Sequence, residues 1–300
     1  MDIPTINWDE VASSSTYQWN AQASQYLNQV DPEMAAALST NGGNSSLYVT
    51  TAEDTKGATT PSVFYAASKT KVSLGSGNTI YLYNPTAKRY QGYIDGMTTA
   101  VGGSEIVNNG TIYAKGSATA AGNTKAMSVN DGRAENLGTI AVEDAYGMVA
   151  NSKNSNAISL LVNSKTIIVK GDSAAGMVDN NPKPSTQDTI VNLKNSGHIE
   201  VESGTGILVQ GDFLEPSKSQ QTNINIVDGT ITAQDGAQAI DVQVADHEVN
   251  IKIQGQDSAV DGWIKLAGSE NMTDLEVSDA SQQSVKLDAE YLREVNVSNQ

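Results

Sequence analysis

The sequence predicts an all-β chain wound as a right-handed parallel β-helix (a β-solenoid). It has three strands per coil, about 30 residues per coil, and a short helical N-terminal segment. Three recurrences predict it. The first is a theme: Asn108-Asn109-Gly110-Thr111-Ile112, Asn136-Leu137-Gly138-Thr139-Ile140, Asn163-Ser164-Lys165-Thr166-Ile167, Asn195-Ser196-Gly197-His198-Ile199 and the reduced Asp228-Gly229-Thr230-Ile231. Its isoleucines lie 28, 27, 32 and 32 residues apart. The second is an echo opened by a small residue, as in Gly147-Met148-Val149, Gly176-Met177-Val178 and Gly206-Ile207-Leu208-Val209. The third closes most units: Ile158-Ser159-Leu160-Leu161-Val162, Thr189-Ile190-Val191-Asn192-Leu193, Ile224-Asn225-Ile226-Val227 and Val249-Asn250-Ile251-Lys252-Ile253.

A unit of this size, cut into strands of about 4–6 residues by Asn, Asp, Gly and Ser, cannot bury its own apolar face. Stacked units can, each strand pairing in parallel with its equivalents above and below. The β-branched Ile and Thr fit a half-buried pleat. A glycine after Asn or Asp suits a corner that needs positive φ.

Residues 1–45 read as a helical cap or lead-in. Trp19, Ala23, Tyr26, Leu27 and Val30 share one helical face. A second helix starts at Asp31-Pro32-Glu33-Met34, where Asp31 caps and Pro32 takes the first helical position. A cap is useful because an open strand edge invites pairing with other chains.

Residues 46–104 read as irregular first coils that lack the Asn-x-Gly-Thr-Ile theme. Their tyrosines Tyr81, Tyr83, Tyr90 and Tyr93 read as lateral β packing with hydroxyls in water, or as a ligand-stacking face. Residues 105–280 are the regular β-helix. Within it, the stretches around 151–154, 181–187 and 212–221 fall just after the second strand of successive units, as loops leaving one corner. Residues 281–300 read as a truncated C-terminal end.

Composition narrows function. Asp and Glu outnumber Lys and Arg 34 to 18, for a formal charge of −16. That disfavours nucleic acid and anionic membranes as partners. The chain has no cysteine, which suits export through an oxidising compartment without cross-links and is equally compatible with the cytosol. No run of about 18 apolar residues marks a membrane-spanning helix. Met1-Asp2-Ile3-Pro4 has neither the basic start nor the apolar core of a signal peptide.

No catalytic, cofactor or metal site is assigned. The two histidines, His198 and His247, have no metal-ligand spacing and no cysteine to join them. His198 replaces the Thr of the theme and so reads as an outward strand position. Asp144, Asp172 and Asp235 recur shortly before the second strand. Such carboxylates serve turns, and stacked together they would suit weak calcium binding or glycoside hydrolysis; the turn role is the expectation. Gly-x-Ser-x-Gly and Walker-type loops are missing from the sequence.

Asn136-Leu137-Gly138-Thr139-Ile140 followed by Ala145-Tyr146-Gly147-Met148-Val149 resembles the passenger regions of bacterial autotransporters (type V secretion), over roughly residues 105–280. The resemblance implies a β-helix exported to the surface of a Gram-negative cell, or secreted from it. In that family a signal peptide precedes the passenger and an outer-membrane β-barrel follows it. This chain shows neither, so the resemblance implies a passenger fragment or processed product. The expected function is a non-enzymatic adhesin or rigid display rod that binds through corner loops and lateral β-faces. Its expected partners are a receptor, glycan or matrix protein on a host or neighbouring cell, with self-association through lateral faces. The rivals are a β-helical polysaccharide-degrading enzyme or phage tailspike-like glycan binder, and a purely structural stalk.

Overall fold

The structure, a computed structural model, describes residues 5–13, 17–19, 26–51, 62–85, 92–100, 102–151, 158–181, 189–211, 220–244, 247–267, 272–279, 284–289 and 292–298. They form a parallel β-solenoid of about 29 residues per turn. Three parallel sheets of nine strands each run the length of the winding. Sheet 1 holds the theme strands, among them Thr111–Lys115, Thr139–Glu143 and Thr166–Lys170. Sheet 2 holds the echo strands, among them Tyr146–Ala150 and Ala175–Asn181. Sheet 3 holds the closing strands, among them Ile158–Asn163 and Gln220–Val227. Nine strands at the usual spacing span about 38 Å. The segments before residue 105 and after residue 280 continue the same winding: Thr79–Tyr83 pairs with Thr111–Lys115, and Glu294–Ser298 pairs with Met272–Ser278.

Register puts like residues in columns. Leu47, Ile80, Ile112, Ile140, Ile167, Ile199 and Ile231 are successive partners in sheet 1, and all are fully buried. In sheet 2 the column is Phe64, Met97, Met127, Met148, Met177, Ile207 and Ile240. Sheet 3 contributes Ile106, Ala134, Leu161, Leu193, Ile224 and Ile251. These columns form one continuous core. Each buried aliphatic is worth about 1.5–3 kcal/mol, and its contacts reach only the coils next to its own.

The asparagine of the theme has a structural task of its own. Asn108, Asn136, Asn163 and Asn195 are fully buried and form a vertical ladder at the junction of sheets 3 and 1. Each Nδ2 donates to the next Oδ1 at 2.8 Å. The same Nδ2 atoms reach the carbonyls of Thr139, Thr166, His198 and Thr230. The Oδ1 atoms accept from the backbone N–H groups of Gly110, Gly138 and Lys165. Asparagine thus satisfies a corner that carries buried backbone groups.

The glycines beside this ladder correct one expectation. Gly110, Gly138, Gly197 and Gly229 are not among the glycines with positive φ. Their constraint is proximity: a Cβ on Gly138 would stand 2.0 Å from the Gly110 carbonyl oxygen, and one on Gly197 would stand 2.2 Å from that of Lys165. Other glycines that follow Asn or Asp do have positive φ, as Gly42 (φ 72), Gly132 (φ 126) and Gly236 (φ 91), and so do Asp228 (φ 52) within the theme and Asp144 (φ 47) and Gly171 (φ 98) between sheets 1 and 2.

The N-terminal helices differ from expectation in part. The helix placed across Trp19–Val30 shrinks to Leu27–Val30, because Tyr17–Trp19 is a strand that pairs with Val49–Thr51; Ala23 lies outside the described residues. The helix begun by Asp31 is present as Pro32–Ser39, with the Asp31 carboxylate accepting from the Met34 N–H at 3.0 Å. Leu27 and Leu38 are fully buried and cover the end of the core. Asn78 fixes this lid to the coils, its Nδ2 donating to the carbonyls of Leu38 (2.9 Å) and Thr40 (2.8 Å). A further helix, Trp8–Ser13, lies outside the winding. No helix among the described residues is long and apolar enough to cross a membrane.

Candidate functional site

A prism of stacked strands offers two kinds of place for binding: its flat outer faces and its corners. Both carry distinctive side chains here.

On the outer face of sheet 1, alternation turns Tyr48, Tyr81 and Tyr113 outward between buried neighbours, and register makes them successive partners. Their rings stack, with centroids 4.7 and 5.2 Å apart. Burial pushes the phenols of Tyr81 and Tyr113 above their ordinary pKa, and for Tyr81 the neighbouring Tyr48 and Tyr113 add to the effect. In the next outward column Tyr83 stacks with Trp8 (5.5 Å, 13°). The sequence-based cluster is therefore regrouped. Tyr81 and Tyr83 share this face, and Tyr48 and Tyr113, some thirty residues away on each side, join them. Tyr93 instead lies against Lys125 of sheet 2, which pairs with Asp95 at 3.3 Å. Tyr90 lies outside the described residues.

On sheet 3 the outward columns are polar. Asn223 bridges Asn192 and Asn250 through amide bonds of 2.9 and 3.1 Å. Asn223, Asn225, Asn250, Lys252, Asp274 and Glu276 border a hollow of about 320 Å³.

The anticipated loops leave a single corner, between sheets 2 and 3. One runs from Ala175–Asn181 to Thr189–Asn195, the next from Thr205–Gly211 to Gln220–Val227. Residues 182–188 and 212–219, which carry most of both loops, and 152–157 of the shorter one, lie outside the described residues. The second loop is shorter than anticipated at its far end, since Gln220 and Gln221 already pair in sheet 3.

Beneath this corner the core contains ionisable groups. Asp179 occupies a sheet 2 column otherwise filled by Val129, Ala150, Val209 and Val242, and it is 1% exposed. Thr222 occupies the corresponding sheet 3 column, between Val191 and Val249. Its hydroxyl meets Asp179 Oδ2 at 2.5 Å and His247 Nε2 at 2.6 Å. Asp179 Oδ1 has no hydrogen-bond partner among the described residues. Burial raises the Asp179 carboxyl to about 7, partly offset by the Thr222 bond, and lowers the His247 imidazole to about 4. Both groups are therefore neutral over mildly acidic pH, as a low-dielectric site requires. Thr222 is fully buried, which keeps its oxygen from any substrate in solution. Sequence reasoning passed over Asp179. The signal was there, since aligning the echoes sets Asp179 where Val209 stands in the next unit.

Of the other anticipated residues, Asp144 and Asp172 lie one coil apart and Asp235 stands away from both. Asp144 holds a turn in the left-handed region and packs against Gly171. Burial raises its pKa, then Glu143, with Lys115 opposing and Asp172 adding a smaller push. Asp172 and Asp235 are exposed turn residues, and Asp235 sits three coils from Asp144, about 14 Å along the axis. Among the described residues no three His, Asp or Glu side chains gather as a metal site. His198 is an outward strand residue, as its place in the theme requires; its Nδ1 lies 2.7 Å from Thr230 Oγ1.

No family model matches the chain, and neither a curated protein nor a solved structure matches it significantly.

Proposed function

We propose that this chain is a non-enzymatic binding rod: the passenger type of surface or secreted protein that autotransporters export from Gram-negative cells, acting as an adhesin or display rod. One observation carries the reading. A stack of short-range ladders gives a stiff prism whose long loops all leave one corner, beside lateral faces of ordered aromatic and amide side chains. Its partners are a receptor, glycan or matrix protein on another cell, met by the loops and the faces. The separation of Asp235 from the neighbouring Asp144 and Asp172 and the burial of Thr222 support binding over turnover.

The test is capture by the immobilised chain across arrays of glycans and matrix proteins, with turnover assayed in parallel. Capture that falls when residues 182–188 and 212–219 are replaced by short Gly-Ser links supports the reading. Turnover that disappears with Asp144→Asn, Asp172→Asn or Asp235→Asn contradicts it. A second reading, glycan binding along sheet 3, rests on the amide and carboxylate lining of its hollow; it predicts capture lost with Asn223→Ala and Asn250→Ala while the loops are intact.

A further inference from the structure

Residues 5–13 belong to no coil, yet they lie on the structure's most aromatic face. The helix Trp8–Ser13 packs outside Ser46–Thr51 and Thr79–Tyr83 of sheet 1. Trp8 covers the ring of Tyr83, and Val11 is buried. Thr5 and Ile6 border a hollow whose other wall is formed further along the rod by Tyr113, Ala141, Glu143 and Lys170.

Three features set this contact apart from the packing of the rod. The hydrogen bonds of the segment are its own, among the described residues: Val11 N–H to the Asn7 carbonyl, Glu10 N–H to Asn7 Oδ1, and the Ser13 hydroxyl to the Glu10 carbonyl. It adds no strand to a sheet, so no ladder depends on it. It also underfills its place. Hollows of about 270 and 250 Å³ flank it, one beside Lys115, Glu143 and Lys170, the other beside Tyr48, Tyr81 and Tyr113. A segment held only by rings and apolar contact belongs to the least stable class of local structure. Aromatic anchors on a preformed surface are what peptide-binding faces use.

We propose that the outer face of sheet 1 is a docking surface for a peptide carrying an aromatic anchor, and that residues 5–13 occupy it in cis and hold it closed. The partner carries an aliphatic, an aromatic and an aliphatic residue at the spacing of Ile6, Trp8 and Val11. A flat sugar fits less well. The rings of Tyr48, Tyr81 and Tyr113 face one another, which leaves mainly edges and hydroxyls toward solvent. The closed state is favoured because a tethered segment acts at high effective concentration. The proposal rests on the reading of the rod as a non-enzymatic binder, and it adds which face binds and what keeps it shut.

The experiment compares the full chain with one lacking residues 1–13, using a labelled synthetic peptide of residues 1–16 and its Trp8→Ala form. The peptide is expected to bind the shortened chain at least tenfold more tightly than the full chain. Trp8→Ala in the peptide, or Tyr83→Ala in the rod, is expected to weaken that binding at least tenfold; Lys265→Ala, exposed on sheet 2, leaves it unchanged. Circular dichroism establishes that the shortened chain folds. Should it not, the full-length Trp8→Ala variant replaces it, with the segment loosened in place and the native peptide added in trans. Equal binding to open and closed chains, indifference to Trp8→Ala, or no peptide binding to a folded open chain overturns the proposal. So does binding of a glycan in place of the peptide at this face. Capture by the corner loops is measured separately on the full chain, so its loss or survival judges the display-rod reading alone.

Discussion

Replacing Asn136 with alanine removes the centre of the buried ladder. Its Nδ2 donates to Asn163 Oδ1 (2.8 Å) and the Thr166 carbonyl (3.1 Å). Its Oδ1 accepts from Asn108 Nδ2 (2.8 Å) and the Gly138 N–H (3.3 Å). All four bonds vanish together, in a corner where Asn136 has no exposure and water cannot substitute. Each such bond is worth about 1 kcal/mol net, and a buried group left unpaired costs more. Asn108 Nδ2 keeps the Thr139 carbonyl and Asn163 Oδ1 keeps the Lys165 N–H, which limits the penalty. The expected loss is therefore roughly 3–5 kcal/mol. Asn250→Ala, in the half-buried outer ladder, removes one bond in contact with water and is expected to cost about 1 kcal/mol or less. Urea unfolding followed by circular dichroism measures both. Equal, small losses for the two variants would refute the assignment of the theme's asparagine to a buried structural ladder.

Three further outcomes follow from the packing. In the folded chain between pH 4 and 6.5, Asp179 and His247 together hold one proton, on the carboxyl; unfolded, they also hold one, on the imidazole. Their opposed linkages cancel, so the pair contributes no pH slope there. Asp179→Asn leaves a histidine whose folded pKa is depressed, so stability should rise from pH 4 to 6.5, by roughly 3 kcal/mol. His247→Gln leaves a carboxyl whose folded pKa is raised, so stability should fall as pH climbs from 4 to 7; unfolding midpoints at several pH values check both, and slopes of the same sign would contradict the pairing. Gly138→Ala sets a Cβ against the Gly110 carbonyl and is expected to cost about 1–3 kcal/mol by thermal unfolding. Lys165→Ala, one coil along at the equivalent turn position, should stay within about 0.5 kcal/mol.

The winding was legible because its cause is repeated. The columns of Ile112, Ile140, Ile167 and Ile199, and of Met127, Met148 and Met177, recur at one position of every unit, and periodicity reports that directly. The helix at Pro32 was legible from its cap alone. What escaped depends on contacts between units. The theme's asparagine looks like corner chemistry in one unit and becomes a ladder only when units stack. The tyrosine face assembles from Tyr48, Tyr81 and Tyr113, one per coil, so a cluster sought along the chain misses it. Asp179 and His247 are 68 positions apart and meet through Thr222. The apparent helical face from Trp19 to Val30 failed because Tyr17–Trp19 gains more as an edge strand on Ser46–Thr51.

The central claim is that consecutive units lie in parallel register, one rung above another. The chain lacks cysteine, so pairs of spin labels can be placed at will. Ser46, Thr79, Thr111, Thr139, Thr166, His198, Thr230 and Ala259 form one column on sheet 1. With one label fixed at position 46 and the other at 198, 230 or 259, pulsed electron paramagnetic resonance should give backbone separations of about 24, 29 and 34 Å, rising by about 4.8 Å per coil. Distances that are broad, or that fail to rise in equal steps, would contradict the stacked winding.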